Sequence, residues 1–204
     1  MVIELKDKEN LKTIFAKHGE IVSTKTLREN GIYDKKIKRY IDEGVIEKVR
    51  RGYYRYTKSS NAFSDMPVIA ALFPDGVLCL ESAIDYYGYT DRTPNAWEIA
   101  VDKKSSRVRC KIEYPKINVH YIESEKFQIG ITTVSIDGAD VKIYDRERTI
   151  CDFLLHKNKI DAEVFNQAIQ GYLKDTNKRE SVLAEYAPKL RVERKVREVL
   201  GIWL

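Results

Sequence analysis

Between Tyr33 and Tyr56 the chain reads YDKKIKRYIDEGVIEKVRRGYYRY. Lys35, Lys36, Lys38 and Arg39 are crowded into one short stretch, and Arg50, Arg51 and Arg55 into the next. Ammonium and guanidinium groups at this density suit one chemistry well. They neutralise a phosphate backbone and release its counterions, while a few of them reach base edges. Lysines on a helix are also common on an ordinary solvated face, so the elements that carry these cations decide between the two readings.

Catalytic groupings are missing from the sequence. There is no G-x-x-x-x-G-K, no G-x-S-x-G and no H-E-x-x-H. Glu98, Asp102 and Lys103 suggest a metal-dependent nuclease. However, Glu98 and Asp102 share one face of a strand, Lys103 points the other way, and the acid-x-Lys spacing is absent. His18, His120 and His156 are scattered, and Cys79, Cys110 and Cys151 lie far apart with no C-x-x-C. That pattern predicts reduced thiols, with no disulfide frame and no zinc site. Asp145, Glu147 and Arg148 read as residues that cap and brace a helix. The expectation is a protein without catalytic residues, metal or cofactor.

The elements around the cations have a definite order. KDKENLKTIFAKH (Lys6 to His18) repeats Leu11, Ile14 and Phe15 at helical spacing and stops near Gly19. Ser23 suits an N-cap and Gly31 a stop, which predicts a short second helix. Asp34 is the expected cap of a third helix, ended by Gly44. Ile37, Tyr40 and Ile41 form its inner face, Lys35 and Arg39 point outward, and Lys36 and Lys38 flank. Two β-rich runs then meet at Arg51-Gly52, a hairpin signal. Helix, short helix, turn, helix and hairpin is a winged helix-turn-helix. Its positive charge sits at the N-terminal part of the recognition helix and at the wing tip.

Bulk composition agrees. The 204 residues are 43% hydrophobic and 33% charged, with net charge +5. Residues 1–57 hold fourteen Lys and Arg against nine Asp and Glu, a surplus equal to that of the whole chain. The candidate DNA-contacting set is Thr24, Lys25, Lys35, Lys36, Lys38, Arg39, Arg50, Arg51, Tyr53 and Arg55. Apolar runs such as Val68–Phe73 are too short to span a membrane, and the charged start MVIELKDKENLK does not suit a signal peptide. A cytoplasmic location without membrane contact is expected.

Beyond residue 57 the polar stretch Lys58–Asn61 reads as a linker, giving two domains: 1–57, and 58–204. Asp65 with Pro67 starts an apolar helix that stops at Pro74-Asp75-Gly76, and a helix from Glu81 to Tyr87 stops at Gly88. Trp97–Val101, Ile117–Ile122, and the runs Ile131–Ile136 and Val141–Tyr144 around Asp137-Gly138 have strand character. Residues 58–144 are thus expected to form a mixed sheet with helices. From 145 to 204 four apolar stripes predict a mainly helical part, so the fold class is α+β. The last helix is expected to carry Lys189, Arg191, Arg194, Lys195 and Arg197, either a second DNA or toxin contact or a solvated face diluted by Glu193 and Glu198.

GVIEKVRRGYYRY (Gly44 to Tyr56), directly after a recognition helix, resembles the N-terminal domain of the AbiEi-family antitoxins of type IV toxin–antitoxin and abortive phage infection systems. FPDGVLCLESAIDYYGYTD (Phe73 to Asp91) and VKIYDRERTICDFLLHKNKI (Val141 to Ile160) are similar to segments of that family's second domain, in the same order. The resemblance implies a dual role. The winged domain would repress its own operon on inverted repeats in double-stranded promoter DNA, bound as pairs. The second domain would counter a nucleotidyltransferase-like toxin, the functional partner, through residues it leaves unassigned. From the residues alone, a winged-helix regulator with a small-ligand-sensing α/β domain stands as the alternative.

Overall fold

A computed structural model describes residues 5–19, 21–57, 64–107 and 114–201. The chain divides into two compact units: residues 1–74 with 111–115 and 136–139, and residues 75–110, 116–135 and 140–204. The expected linker Lys58–Asn61 and Cys110 lie outside the described residues.

The first unit opens with α1 (Leu5–His18), β1 (Ile21–Ser23), α2 (Thr24–Glu29) and α3 (Asp34–Asp42). β2 (Ile46–Arg50) and β3 (Tyr53–Tyr56) follow, then α4 (Met66–Leu72). One core holds the three helices together, built from Leu11, Ile14, Phe15, Leu27, Ile32, Ile37 and Tyr40. Each such side chain contributes on the order of 1.5–3 kcal/mol when removed from water. Ser23 caps α2, its hydroxyl accepting from the Thr26 N–H at 3.1 Å. Gly31 (φ +77°) and Gly44 (φ +65°) end α2 and α3 in the left-handed conformation that glycine tolerates.

Two local expectations need correction. The N-cap of α3 is Tyr33, without a side-chain cap bond, and Asp34 is the first helical residue. The Asp34 carboxylate is engaged by Arg28 instead, which donates to both its oxygens at 2.8 Å. In addition, Ile21–Ser23 is a strand, which the short run before the cap did not reveal. β1 pairs antiparallel with β3, so the wing is part of a three-stranded sheet in the order β1-β3-β2.

The second unit is built on a five-stranded mixed sheet in the order β6-β5-β4-β8-β7. Its strands are β4 (Val77–Leu78), β5 (Trp97–Asp102), β6 (Ile117–Ile122), β7 (Ile131–Ile136) and β8 (Ala139–Tyr144). α5 (Leu80–Tyr86) and the short α6 (Ser124–Phe127) are interleaved. β4 is antiparallel to β5 and parallel to β8, and β5 is parallel to β6. The turn between β7 and β8 has positive φ at both Asp137 and Gly138, as the Asp-Gly pair predicts. Two residues in β4 and four in α6 are too few for a periodic signal, and the sequence did not disclose them.

The helical part is α7 (Arg146–His156), α8 (Ala162–Lys174), α9 (Glu180–Leu190) and α10 (Glu193–Leu200). The four apolar stripes do pack as core: Ile150, Phe153, Leu154, Val164, Phe165, Ala168, Ile169, Tyr172, Leu183 and Val196 are buried together. α7 also carries the polar frame. Asp145 caps it, accepting from the Arg148 N–H at 2.9 Å. Arg148, only 1% exposed, donates to Asp152 at 3.0 Å and to the Ile129 carbonyl at 2.9 Å, and reaches the Lys126 carbonyl. Fully buried Glu147 accepts from the backbone and guanidinium of Arg179, both at 2.7 Å. Gly130 is fixed by this frame, since a Cβ there would stand 2.5 Å from the Arg148 Cβ.

Candidate nucleic-acid interface

The interface is assembled from α2, α3 and the wing. α3 buries Ile37 and Tyr40, and this sets its rotation. Lys35, Lys36 and Lys38 are then exposed, and Arg39 is half-buried. Burial in the core raises the Tyr40 hydroxyl pKa, so Tyr40 stays neutral and belongs to the core.

The cations of the candidate set are not equivalent. Lys36 is 3.3 Å from Asp7 of α1, and Arg39 donates to Glu43 one turn on at 3.0 Å. Lys25 lies 3.9 Å from Glu29 and is highly exposed, a pair of little strength. Lys35, Lys38 and Arg51 are exposed and make no ion pair among the described residues. These three are the cations most available to an external anion.

At the wing, Arg51 and Gly52 form the turn, with Gly52 at φ +85°. The Arg50 guanidinium lies 4.3 Å from the centre of the Tyr53 ring, a cation–π contact that holds both at the tip. The wing is also tied back to the helices. Thr24, at the start of α2, donates to the Gly52 carbonyl through its N–H at 2.8 Å and its hydroxyl at 3.1 Å. Thr24 is therefore a tether between α2 and the wing.

Arg55 stands elsewhere. It pairs across the strands with Ile21 and Glu47, on the sheet face opposite Val22 and Tyr54, which pack on the helical core. It forms an ion pair with Glu47 and its side chain is 15% exposed. Sequence reasoning counted it with the wing because alternation along β3 could not reveal which face the helices cover.

Tyr33 was missed. It is 64% exposed and precedes the cationic face of α3 directly. Placing the cap at Asp34, one residue late, hid it. An aromatic residue where a small polar cap is expected was the available signal.

In the second unit, the residues that suggested a nuclease are otherwise occupied. Glu98 accepts from Asn118 at 2.7 Å and contacts His120, and Asp102 accepts from Ser124 at 3.0 Å. Among the described residues no group of three or more His, Cys, Asp or Glu side chains is placed to hold a metal. Cys79 and Cys151 are free and buried, and burial raises both thiol pKa values, so neither is a ready nucleophile. No described helix is long and apolar enough to cross a membrane. The basic run at the C-terminus is largely paired: Lys189 with Glu185, Arg194 with Glu198, Arg197 with Glu193, and Lys195 with the Leu154 carbonyl at the end of α7.

Residues 9–57 match the model of a family described as transcriptional regulator, AbiEi antitoxin. The match runs from within α1 through the wing, so this segment is similar to the winged helix of that family. No curated protein matches the chain.

Proposed function

We propose that this protein is an antitoxin that represses its own operon, binding inverted repeats in promoter DNA through its winged helix and countering a nucleotidyltransferase-like toxin. The observation that carries the DNA-binding half is the joint exposure of Lys35 and Lys38 on α3 and Arg51 on the wing, with the wing tethered to α2. Cations on two rigidly linked elements suit a recognition helix in the major groove and a wing on the flanking backbone. The contact set is Tyr33, Lys25, Lys35, Lys38, Arg50, Arg51 and Tyr53, with Lys36 and Arg39 released from their acidic partners on binding. Arg55 and the Thr24 hydroxyl serve the scaffold.

The antitoxin half rests on the matched family and on the two later segments that resemble it. It is a binding role, and its toxin-facing residues are unassigned.

The test is charge reversal at the wing. In the Arg50→Glu/Arg51→Glu variant a like-charged tip faces phosphate, and operator binding is expected to be lost. Arg51→Glu alone leaves the Arg50–Tyr53 contact in place and isolates the turn. Unchanged affinity of the double variant for its own promoter in a gel-shift titration would remove the wing from the interface.

A further inference from the structure

A cavity of about 550 Å³ lies within the second unit, between edge strand β6, the C-terminal end of α7 and the turn joining α9 to α10. Its volume is in the range of small-molecule sites. The walls are apolar, with Leu80, Val119, Ile122, Leu155 and Leu190 contributing. Two of them are unusual. Leu155 is a large apolar side chain left 45% exposed, and Leu80 holds a positive φ of 45°, a strained conformation for a branched residue.

The polar groups are graded by depth. At the floor, Arg148 and Asp152 are buried and already paired, so the floor carries no net charge to offer. Half-way up stand His120 and His156. Burial, and after it the neighbouring His120, Lys159 and Lys195, lower the His156 pKa, which leaves it a neutral donor and acceptor near pH 7. Exposed Arg191 and Glu123 mark the rim, and half-buried Lys126 also lines the cavity. Glu123 is itself 3.5 Å from Lys103, so the rim retains a positive surplus. Arg191 sits at φ +61° in the turn between α9 and α10 and makes no ion pair among the described residues.

We propose that this cavity binds a small organic anion with an apolar body, its charged group at Lys126 and Arg191 and its body against Val119, Ile122 and Leu190. A carboxylate, sulfonate or phosphate meets the same rim. A polar group on the body would meet His120 and His156. The inference adds a ligand site to the second unit and does not depend on operator or toxin binding.

The test uses the full chain and 1-anilinonaphthalene-8-sulfonate, an aromatic sulfonate whose fluorescence rises in apolar surroundings. One saturable site per chain is expected. Val119→Trp, which fills the cavity, should abolish it. Lys126→Glu/Arg191→Glu changes only the rim and should weaken binding about tenfold or more by charge repulsion. Octanoate should displace the probe, whereas 1-octanol, the same body without charge, should not. Saturable binding that the rim variant leaves unchanged, or that octanol displaces equally, overturns the anion site. So does binding that persists in a folded Val119→Trp protein, or the absence of saturable binding.

Discussion

Lys35 and Arg39 both point away from the core face of α3, yet their surroundings differ. Arg39 spends part of its donor capacity on Glu43, and Lys35 makes no ion pair among the described residues. Lys35→Ala is therefore expected to cost more operator affinity than Arg39→Ala. The loss should be on the order of 1–3 kcal/mol if Lys35 reaches a base edge. Gel-shift titrations on operator and random DNA separate the cases: equal losses on both would make Lys35 a phosphate contact and lower the salt slope by about one. A larger loss from Arg39→Ala would reverse the ranking. At the same scale, Asp175 accepts from Tyr89 at 2.6 Å and from Arg146 at 2.7 Å, and these bonds depress its pKa to about 2. A carboxyl depressed in the folded state contributes stability above its unfolded pKa of about 3.9, lost as pH falls through about 2. Asp175→Asn should lower stability at neutral pH and flatten the decline between about pH 4 and pH 2. Urea midpoints across that range check it, and an unaltered acid limb would contradict it.

At the scale of elements, Thr24 binds the wing to α2. Thr24→Val removes the hydroxyl bond to Gly52 and keeps the backbone bond, while Thr24→Ser keeps both. The valine variant should lose about 0.5–1.5 kcal/mol of stability and some operator affinity, with serine close to the parent. A serine variant as weak as valine on DNA would show that the hydroxyl bond is not what matters. Most of these elements were legible in the sequence because their signals are local. Ser23 as a cap, Gly31 and Gly44 as stops, Arg51-Gly52 as a turn and Asp145 as a cap all act within a few residues of themselves. What stayed hidden is set by distant partners. β1 is a strand because β3 lies beside it, and Arg55 turns from the helices because the sheet has two faces. Thr24 is a tether because a wing 28 residues later returns to it. The cavity is likewise composed from β6, α7 and the α9–α10 turn, and no stretch of sequence contains it.

At the scale of the whole molecule, the charge surplus of residues 1–57 already separated a cationic N-terminal segment from a nearly neutral remainder. The two proposed activities should separate in the same way. Coexpression of the neighbouring gene with the full chain is expected to restore growth, and Arg50→Glu/Arg51→Glu should still restore it if neutralisation resides beyond the winged helix. Failure of that variant, expressed to equal level, would place neutralisation in repression itself. A harmless neighbour would remove the antitoxin reading. The bond from Thr24 to Gly52 has one more consequence. Because α2 and α3 share one core, the tether from α2 also sets the span between recognition helix and wing, a calliper that resists opening or closing to follow a groove of varying width. The duplex must then supply the adjustment, and operators would be ranked partly by how readily their flanks bend to that span, at base pairs no side chain touches.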